Sequence, residues 1–590
     1  MIGFAKYIIA CNGVKLKDLP KNNEADEEVK YLELEHRGKD KNVIINLNNF
    51  VTDIYKLGKR YKDLLEIAGY VFAADRKTYR GKDDDLEYHS WSRALHFHFK
   101  VRDYNFWKKT EVREALSKAL CFMTGDHSYE FTFYKAGADF PANIFDNEKF
   151  EVDTPDKLKV MLFSGGIDSL AGAIEELAST NDSEICLVSH QSGQPRIIET
   201  QKNIYDGLRI AYSSRCKHYK YRCGLSREKS RDETQRTRSF LYTSTAFAIA
   251  KTYNQNCIYV YENGVTSLNF AETQDLMNAR SSRTTHPQTM GLLEDLFSLI
   301  AEESFVIEQP FLFKTKTEVV EIIKQHDEGL ALLDSSVSCS KSRGHPPNFT
   351  HCGVCSQCID RRFAVFAAGV EKYDNHSLYH FDFLVEALED DAIKKTLTEY
   401  IRLAQEFANQ DIDTFYVDRG NEIIEIEEFI DGTGEMERVR KIYDLMRKHS
   451  EHIEKSIKRM RNIYDPPLKP ARKKSFFNEI IGPRVYQKED EQSSDGRNGE
   501  LKEVPSRGLK KLTKETCEIL IKQGIITDIL QETKKKKNIS SLIVDALKND
   551  KYVVTKRNEN TISDYFRKYE LQIKKDKNGN LQVVENKIAR

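Results

Sequence analysis

No run of apolar residues in this 590-residue chain approaches the ~18–20 needed to cross a bilayer. A membrane-spanning protein is therefore not expected. No internal repeat is apparent, which sets aside solenoids and propellers. An excess of charge is also lacking, because 91 Lys and Arg face 92 Asp and Glu. Disorder is excluded by 39% hydrophobic content with 31 Phe and 28 Tyr. The opening MIGFAKYIIA lacks the pattern of a secretory signal, since Lys6 interrupts it and no small-residue cleavage site is present. A first β-strand and a cytoplasmic location are the expectation. Eleven cysteines in such a chain read as reduced thiols and not as a disulfide scaffold. Seven of them (Cys11, Cys121, Cys186, Cys216, Cys223, Cys257 and Cys517) are scattered and read as small buried hydrophobes.

At roughly 150 residues per domain, the length predicts two to four domains. Residues 1–155 read as an N-terminal α+β domain of strands with one helix. Its clearest strand puts Leu95, Phe97, Phe99 and Val101 on one face, with His96, His98 and Lys100 on the other, facing solvent. Val112, Leu116, Leu120 and Met123 recur at helical spacing up to Gly125, a suitable cap. The charged segment AADRKTYRG, residues 73–81, reads as an exposed turn. Over 156–378 strands alternate with helices, which predicts an α/β class: a doubly wound parallel sheet covered on both faces. Residues 379–485 read as mainly helical. A flexible linker, 486–508, is poor in apolar residues and leads to a small basic module, 509–590. Residues 501–590 hold 21 Lys and Arg against 12 Asp and Glu, so nucleic acid is a possible partner there. The run Lys534–Lys537 reads more readily as a solvated face.

The segment Phe163-Ser164-Gly165-Gly166-Ile167-Asp168-Ser169 follows a predicted strand and opens a predicted helix. Glycines there let the backbone approach an anion, and the N–H groups of the helix start, with the Ser164 and Ser169 hydroxyls, can donate to phosphate oxygens. Asp168 is a poor phosphate partner, so its expected work is to help hold Mg²⁺ or to brace the loop. The ordinary P-loop ending, GKS or GKT, is absent. Parallel sheets bind ligands at the carboxyl ends of their strands. His190 and Glu262-Asn263-Gly264 fall at such ends, although chain reversal alone could place each of them there.

Cys339, Cys352, Cys355 and Cys358 form C-x12-C-x2-C-x2-C, with Gly353 supplying a permissive turn. Four thiolates suit tetrahedral Zn²⁺ with no open position, hence a structural site. An iron–sulfur cluster is the competing use.

SGGxDS in this setting resembles the PP-loop of the ATP pyrophosphatases, which split ATP between the α- and β-phosphates. Together with Lys316-Thr317-Glu318 at a late helix and the cysteine group, residues 157–370 resemble the QueC family, the 7-cyano-7-deazaguanine synthases. That family has C-x8-C-x2-C-x2-C followed by an arginine three residues on. The first spacing here is longer, and Arg361 stands in the arginine's place. The resemblance implies that Ser164, Gly165, Gly166, Ile167, Asp168 and Ser169 bind ATP, with His190 a further candidate from its strand-end position, and that Asp168, Lys316 and Arg361 serve the adenylation of a carboxylate. The implied substrate is 7-carboxy-7-deazaguanine, with Glu262, Asn263 and Gly264 at its site.

The added N- and C-terminal regions, with AADRKTYRG and Trp91-Ser92-Arg93, resemble the enlarged QueC-like proteins of antiphage operons, the Qat systems and QueC-containing CBASS systems. That likeness implies amide formation with an amine of a partner protein from the same operon, its N-terminus being the expected acceptor. Arg283 and His286, in RSSRTTH between a strand and a helix, are candidates to touch substrate or acceptor, and a plain polar loop fits them as well. Arg236 and Arg238 carry the same two readings. A nitrile synthase using ammonia, and a nucleic-acid-modifying or -binding protein, are the alternative functions.

Overall fold

The computed structural model describes residues 5–19, 29–46, 58–80, 92–137, 158–213, 215–226, 230–231, 236–270, 283–341, 346, 348–466 and 474–482. Beyond these it describes only 502–503, 509–522, 543–544, 547, 552–553, 562, 571–575 and 581–585. Trp91, Arg280–Ser282, the acidic part of the linker and Lys534–Lys537 lie outside the described residues. The chain divides into two compact units, 1–484 and 485–590. No helix among the described residues is long and apolar enough to cross a membrane.

The first 135 residues supply β1 (Ala5–Cys11), β2 (Val29–Leu34), β3 (Val43–Asn46), helix α1 (Lys59–Lys77), β4 (Arg93–Val101), α2 (Thr110–Thr124) and β5 (Ser128–Lys135). Four of these strands form a parallel sheet in the order β2-β1-β4-β5. The alternation in β4 buries Leu95, Phe97, Phe99 and Val101, and Phe97 and Phe99 stack on Phe131 of β5. On the other face His96 and His98 stack at 4.3 Å between ring centroids, and His98 is buried beside Tyr134 instead of facing solvent. Helix α2 stops at Gly125 in the left-handed conformation, as the spacing predicts.

Helix α1 is buried nearly all round from Asp63 to Asp75, so it has no polar stripe for a 3.6-residue period to reveal. Residues 73–80 of AADRKTYRG are its last turn and exit, and not an exposed turn. Asp75, Thr78 and Arg80 are buried there. Arg93 donates to Asp75 and Asp126 at 2.7 Å each, and Arg80 donates to both oxygens of Asp126 at 2.8 and 2.9 Å. Thr237 adds its backbone N–H and hydroxyl to Asp75, both at 3.1 Å. Two arginines and two aspartates thus hold α1, the start of β4, the turn after α2 and the approach to a later helix.

From Leu158 the elements alternate: β6 (Leu158–Leu162), α3 (Ile167–Ser179), β7 (Glu184–His190), α4 (Pro195–Ala211), β8 (Cys216–Leu225), α5 (Arg238–Thr252) and β9 (Cys257–Tyr259). Then come α6 (Pro287–Ala301), β10 (Val306–Glu308) and α7 (Lys316–Lys324). The sheet runs β10-β9-β6-β7-β8-β3, parallel except for its edge strand β3, which pairs antiparallel with β8. It is an α/β fold, covered on both faces as such sheets require. Along β7, Cys186 and Val188 join the core shared with the first sheet, while Ile185 and Leu187 join the core beneath α3, α4 and α7. The chain leaves β6 toward β7 and β8, then returns past β6 to β9. That reversal opens a crevice at the carboxyl end of β6.

The longer helices that follow among the described residues are α8 (Ser356–Ala368), α9 (Asp391–Asn409), α10 (Ile412–Glu427) and α11 (Glu435–Tyr464). Leu445 and Met446 of α11 share a core with Leu268 and Leu312, so the helical region is packed onto the loops beyond β9 and β10. The second unit holds α12 (Leu509–Lys522), the parallel pair β11 (Lys502–Glu503) and β12 (Tyr552–Val553), and the antiparallel pair β13 (Leu571–Lys575) and β14 (Leu581–Glu585).

Candidate functional site

Beyond β6 the chain turns on Gly165, at φ +85°, a conformation that L side chains rarely adopt. A Cβ there would also lie 2.9 Å from the Thr200 methyl of α4. Gly166 caps α3, and its N–H donates to Ser164 Oγ at 3.2 Å. The Ser164 and Ser169 hydroxyls are 3.3 Å apart, and Ser169 donates to the Gly166 carbonyl at 3.1 Å. A strand, a glycine turn and a helix start with two hydroxyls beside it form a concave set of donors for a phosphate group.

Asp168, in the first turn of α3, is where three further elements converge. Lys316, the first residue of α7, donates to Asp168 Oδ2, and both side chains are buried. Its helix begins with a capping box in which Thr315 accepts from the Glu318 N–H and Glu318 accepts from the Thr315 N–H. Asn263, beyond β9, donates to Asp168 Oδ1 at 3.2 Å and lies 3.4 Å from Glu262 Oε1. Its side-chain oxygen caps the turn Gly264–Leu268 by accepting from Thr266. Burial works against the Lys316 ammonium, but Asp168, Glu262 and Asp360 outweigh it and raise its pKa. Burial and the neighbouring Asp168 push the Glu262 carboxyl up to about 8. The cluster holds more carboxylate than its lysine balances.

The other residues singled out in the sequence fall into two groups. His190, at the end of β7, has its ring between Phe72, Tyr221 and Tyr242. Its Nε2 is 2.8 Å from the Cys223 carbonyl, and its Nδ1 is 3.2 Å from the Tyr242 hydroxyl. Gln201 reaches both the His190 and the Ser164 carbonyls, so it is the His190 main chain that adjoins the glycine loop. Burial lowers the His190 pKa to about 4. His286 caps α6 by accepting from the Gln288 N–H, and burial lowers its pKa to about 3. Arg283 pairs with Glu425 of α10 at 2.9 Å and lies over the Phe122 ring. Arg361 is fully buried and donates to Asp374, Ser336 and Leu333. The structure therefore joins the glycine loop, Asp168, Glu262, Asn263 and Lys316 in one site, and gives Arg283, His286 and the His190 ring partners elsewhere.

Sequence reasoning missed Asp360, which acts on Lys316 and accepts from the Tyr400 hydroxyl of α9 at 2.8 Å. Its place between Cys358 and Arg361 was the only signal. The link from Val337 to the Gly165 carbonyl, 2.9 Å, has no sequence signature at all.

Cys339, Cys352, Cys355 and Cys358 are all buried, with their sulfurs within 4.8 Å of one another and Cys352 Sγ 3.9 Å from Cys358 Sγ. A tetrahedral zinc with ~2.3 Å bonds needs sulfurs about 3.8 Å apart, so the group fits. Gly353, at φ +80°, makes the turn, and a Cβ there would strike the Phe381 carbonyl. The four residues would hold Zn²⁺ and leave it no position for substrate.

Strand order, glycine turn and strand-end acids make an α/β fold consistent with a PP-loop core. Within it, residues 224–369 match the family model described as queuosine biosynthesis protein QueC. That span includes Glu262–Gly264, Lys316 and the four cysteines. A curated relative, 7-cyano-7-deazaguanine synthase of Methanocaldococcus jannaschii, is 39% identical over 67 residues. The matched segment is 11% of this chain and 28% of that protein.

Proposed function

We propose that the chain is an ATP-dependent C–N bond-forming enzyme of antiphage defence, acting on 7-carboxy-7-deazaguanine or a close analogue and conjugating it to a partner protein. A carboxylate oxygen attacks the α-phosphorus of ATP, the bond to pyrophosphate breaks, and an acyl adenylate forms. An amine then attacks the acyl carbon, loses a proton, and releases AMP. The acceptor is the N-terminus of a protein from the same operon.

The observation that carries this reading is the convergence of Asp168, Lys316 and Asn263 at the mouth of the Ser164–Ser169 loop. The loop's amides and hydroxyls grip the departing pyrophosphate. Lys316 sets its charge beside the phosphates, where negative charge grows as the Pα–O bond lengthens. Asp168 and Glu262 would supply oxygen ligands to Mg²⁺, an ion that would neutralise phosphate charge. Zn²⁺ would be structural.

The test is to incubate the protein with ATP, Mg²⁺, the deazaguanine acid and each operon partner, and to weigh the partner intact. A mass gain equal to the acid less water, with one AMP per conjugate, is expected; no AMP in any combination contradicts the reading. The matched relative, a 7-cyano-7-deazaguanine synthase, favours a second reading, a nitrile synthase, which would give product from ammonia with no partner present. The basic residues after 500 favour a nucleic-acid contact by the second unit, tested by salt-dependent binding.

A further inference from the structure

The peptide between Gly165 and Gly166 is held from outside its own loop. Val337 donates its N–H to the Gly165 carbonyl at 2.9 Å. In a trans peptide the C=O and the following N–H point opposite ways. Fixing that carbonyl therefore aims the Gly166 N–H into the loop, toward Ser164 Oγ. The residue before Val337 is gripped in turn. Arg361 donates one nitrogen to the Ser336 carbonyl at 3.0 Å and its hydroxyl at 2.8 Å, and another to the Leu333 carbonyl at 3.0 Å. Its Nε donates to Asp374 at 2.8 Å, and Asp374 is fixed by Arg362 and the Tyr379 hydroxyl. These bonds leave the guanidinium turned to the protein and not to a substrate.

Both ends of this brace begin at the cysteine cluster. Cys339 lies two residues beyond Val337. Arg361 lies three residues beyond Cys358, in α8, whose cap is Cys355. We infer that Arg361 is a positioning residue: through Ser336 and Val337 it sets the Gly165–Gly166 peptide to receive an anion, and a metal bound by the cysteine cluster would hold both ends of the brace. A lysine could not replace it, because one ammonium does not reproduce a planar fork reaching Asp374, Ser336 and Leu333 together. This deepens, and rests on, the reading of Ser164–Ser169 as a pyrophosphate loop.

The test uses the full chain as Arg361→Lys and Ser336→Ala, with inorganic pyrophosphate and adenosine as separate probes, metal content, and amide exchange over 164–170. Arg361→Lys is expected to keep the wild-type zinc content and to bind pyrophosphate about tenfold more weakly. Adenosine binding should move less than threefold, and exchange over 164–170 should quicken. Ser336→Ala should move in the same direction by about threefold, and it decides the matter if Arg361→Lys does not fold. Unchanged pyrophosphate binding and exchange, or equal losses for both probes, overturn the inference. Withdrawing the metal should quicken exchange over the same residues; no change there overturns the metal's part. If the wild type binds no pyrophosphate, the functional reading falls, and exchange in the variants alone decides the brace.

Discussion

The ion cluster around Arg93 and the cluster around Asp168 both take carboxylates out of water, yet they are balanced differently. Around Arg93, burial would raise the Asp75 and Asp126 carboxyls, but two arginines outweigh it and hold both below the ordinary carboxylate range. Cations match anions there, with forked hydrogen bonds on each side. Around Asp168 the buried Lys316 faces Asp168, Glu262 and Asp360, with Arg238 also acting on Glu262, and Glu262 is still left with a pKa near 8. A closed cluster of the first kind fixes elements to one another. An unbalanced one at strand ends is primed for a ligand that brings the missing charge.

Breaking each cluster should therefore do opposite things. Asp126→Ala strands Arg93 and Arg80 with half their counter-charge and should cost about 3–5 kcal/mol in urea unfolding. Asp168→Asn should cost less in urea unfolding, because Glu262 and Asp360 still face Lys316, while AMP formation falls roughly 10²–10³-fold in single-turnover assays. Lys316→Gln should give a smaller loss of the same kind, about 10²-fold, with much of it in kcat because its charge counts most as pyrophosphate departs.

The finest distinction lies in pH. Glu262 has a raised folded pKa, so its contribution to stability is present at low pH and is lost as pH rises from the ordinary carboxyl range through about 8. Asp75 and Asp126 are lowered, so theirs is present at neutral pH and lost as pH falls below that range. Melting scans of Glu262→Gln should show a shallower fall in Tm than the wild type between pH 6 and 9, and the same fall below pH 4. Parallel curves throughout would mean that the two clusters do not differ as described.

Legibility in the sequence followed the same division. The glycine loop, the alternating strands and the four cysteines could be read because local chemistry dictates each: a positive φ, a two-residue period, a metal's spacing. Helix α1 could not, since a helix buried on all sides carries no stripe. Asp75, Arg80 and Arg93 look like surface charge in one dimension, and only tertiary pairing takes them inside. Arg361 was placed correctly beside the cysteines, but its partners Ser336, Leu333 and Asp374 come from segments whose approach no spacing announces. Arg283 and His286 stand between a strand and a helix, a position that fits a substrate contact or a plain polar loop, and only tertiary structure pairs one with Glu425 and sets the other as the cap of α6.

The proposed cleavage of ATP between its α- and β-phosphates, with Asp168 at the site, is directly testable. The direct measurement is to supply ATP labelled at the α-phosphate, with Mg²⁺ and the deazaguanine acid, and to separate the labelled products. The account predicts labelled AMP from the wild type and almost none from Asp168→Asn. Labelled ADP, or an Asp168→Asn protein as active as the wild type, would contradict it.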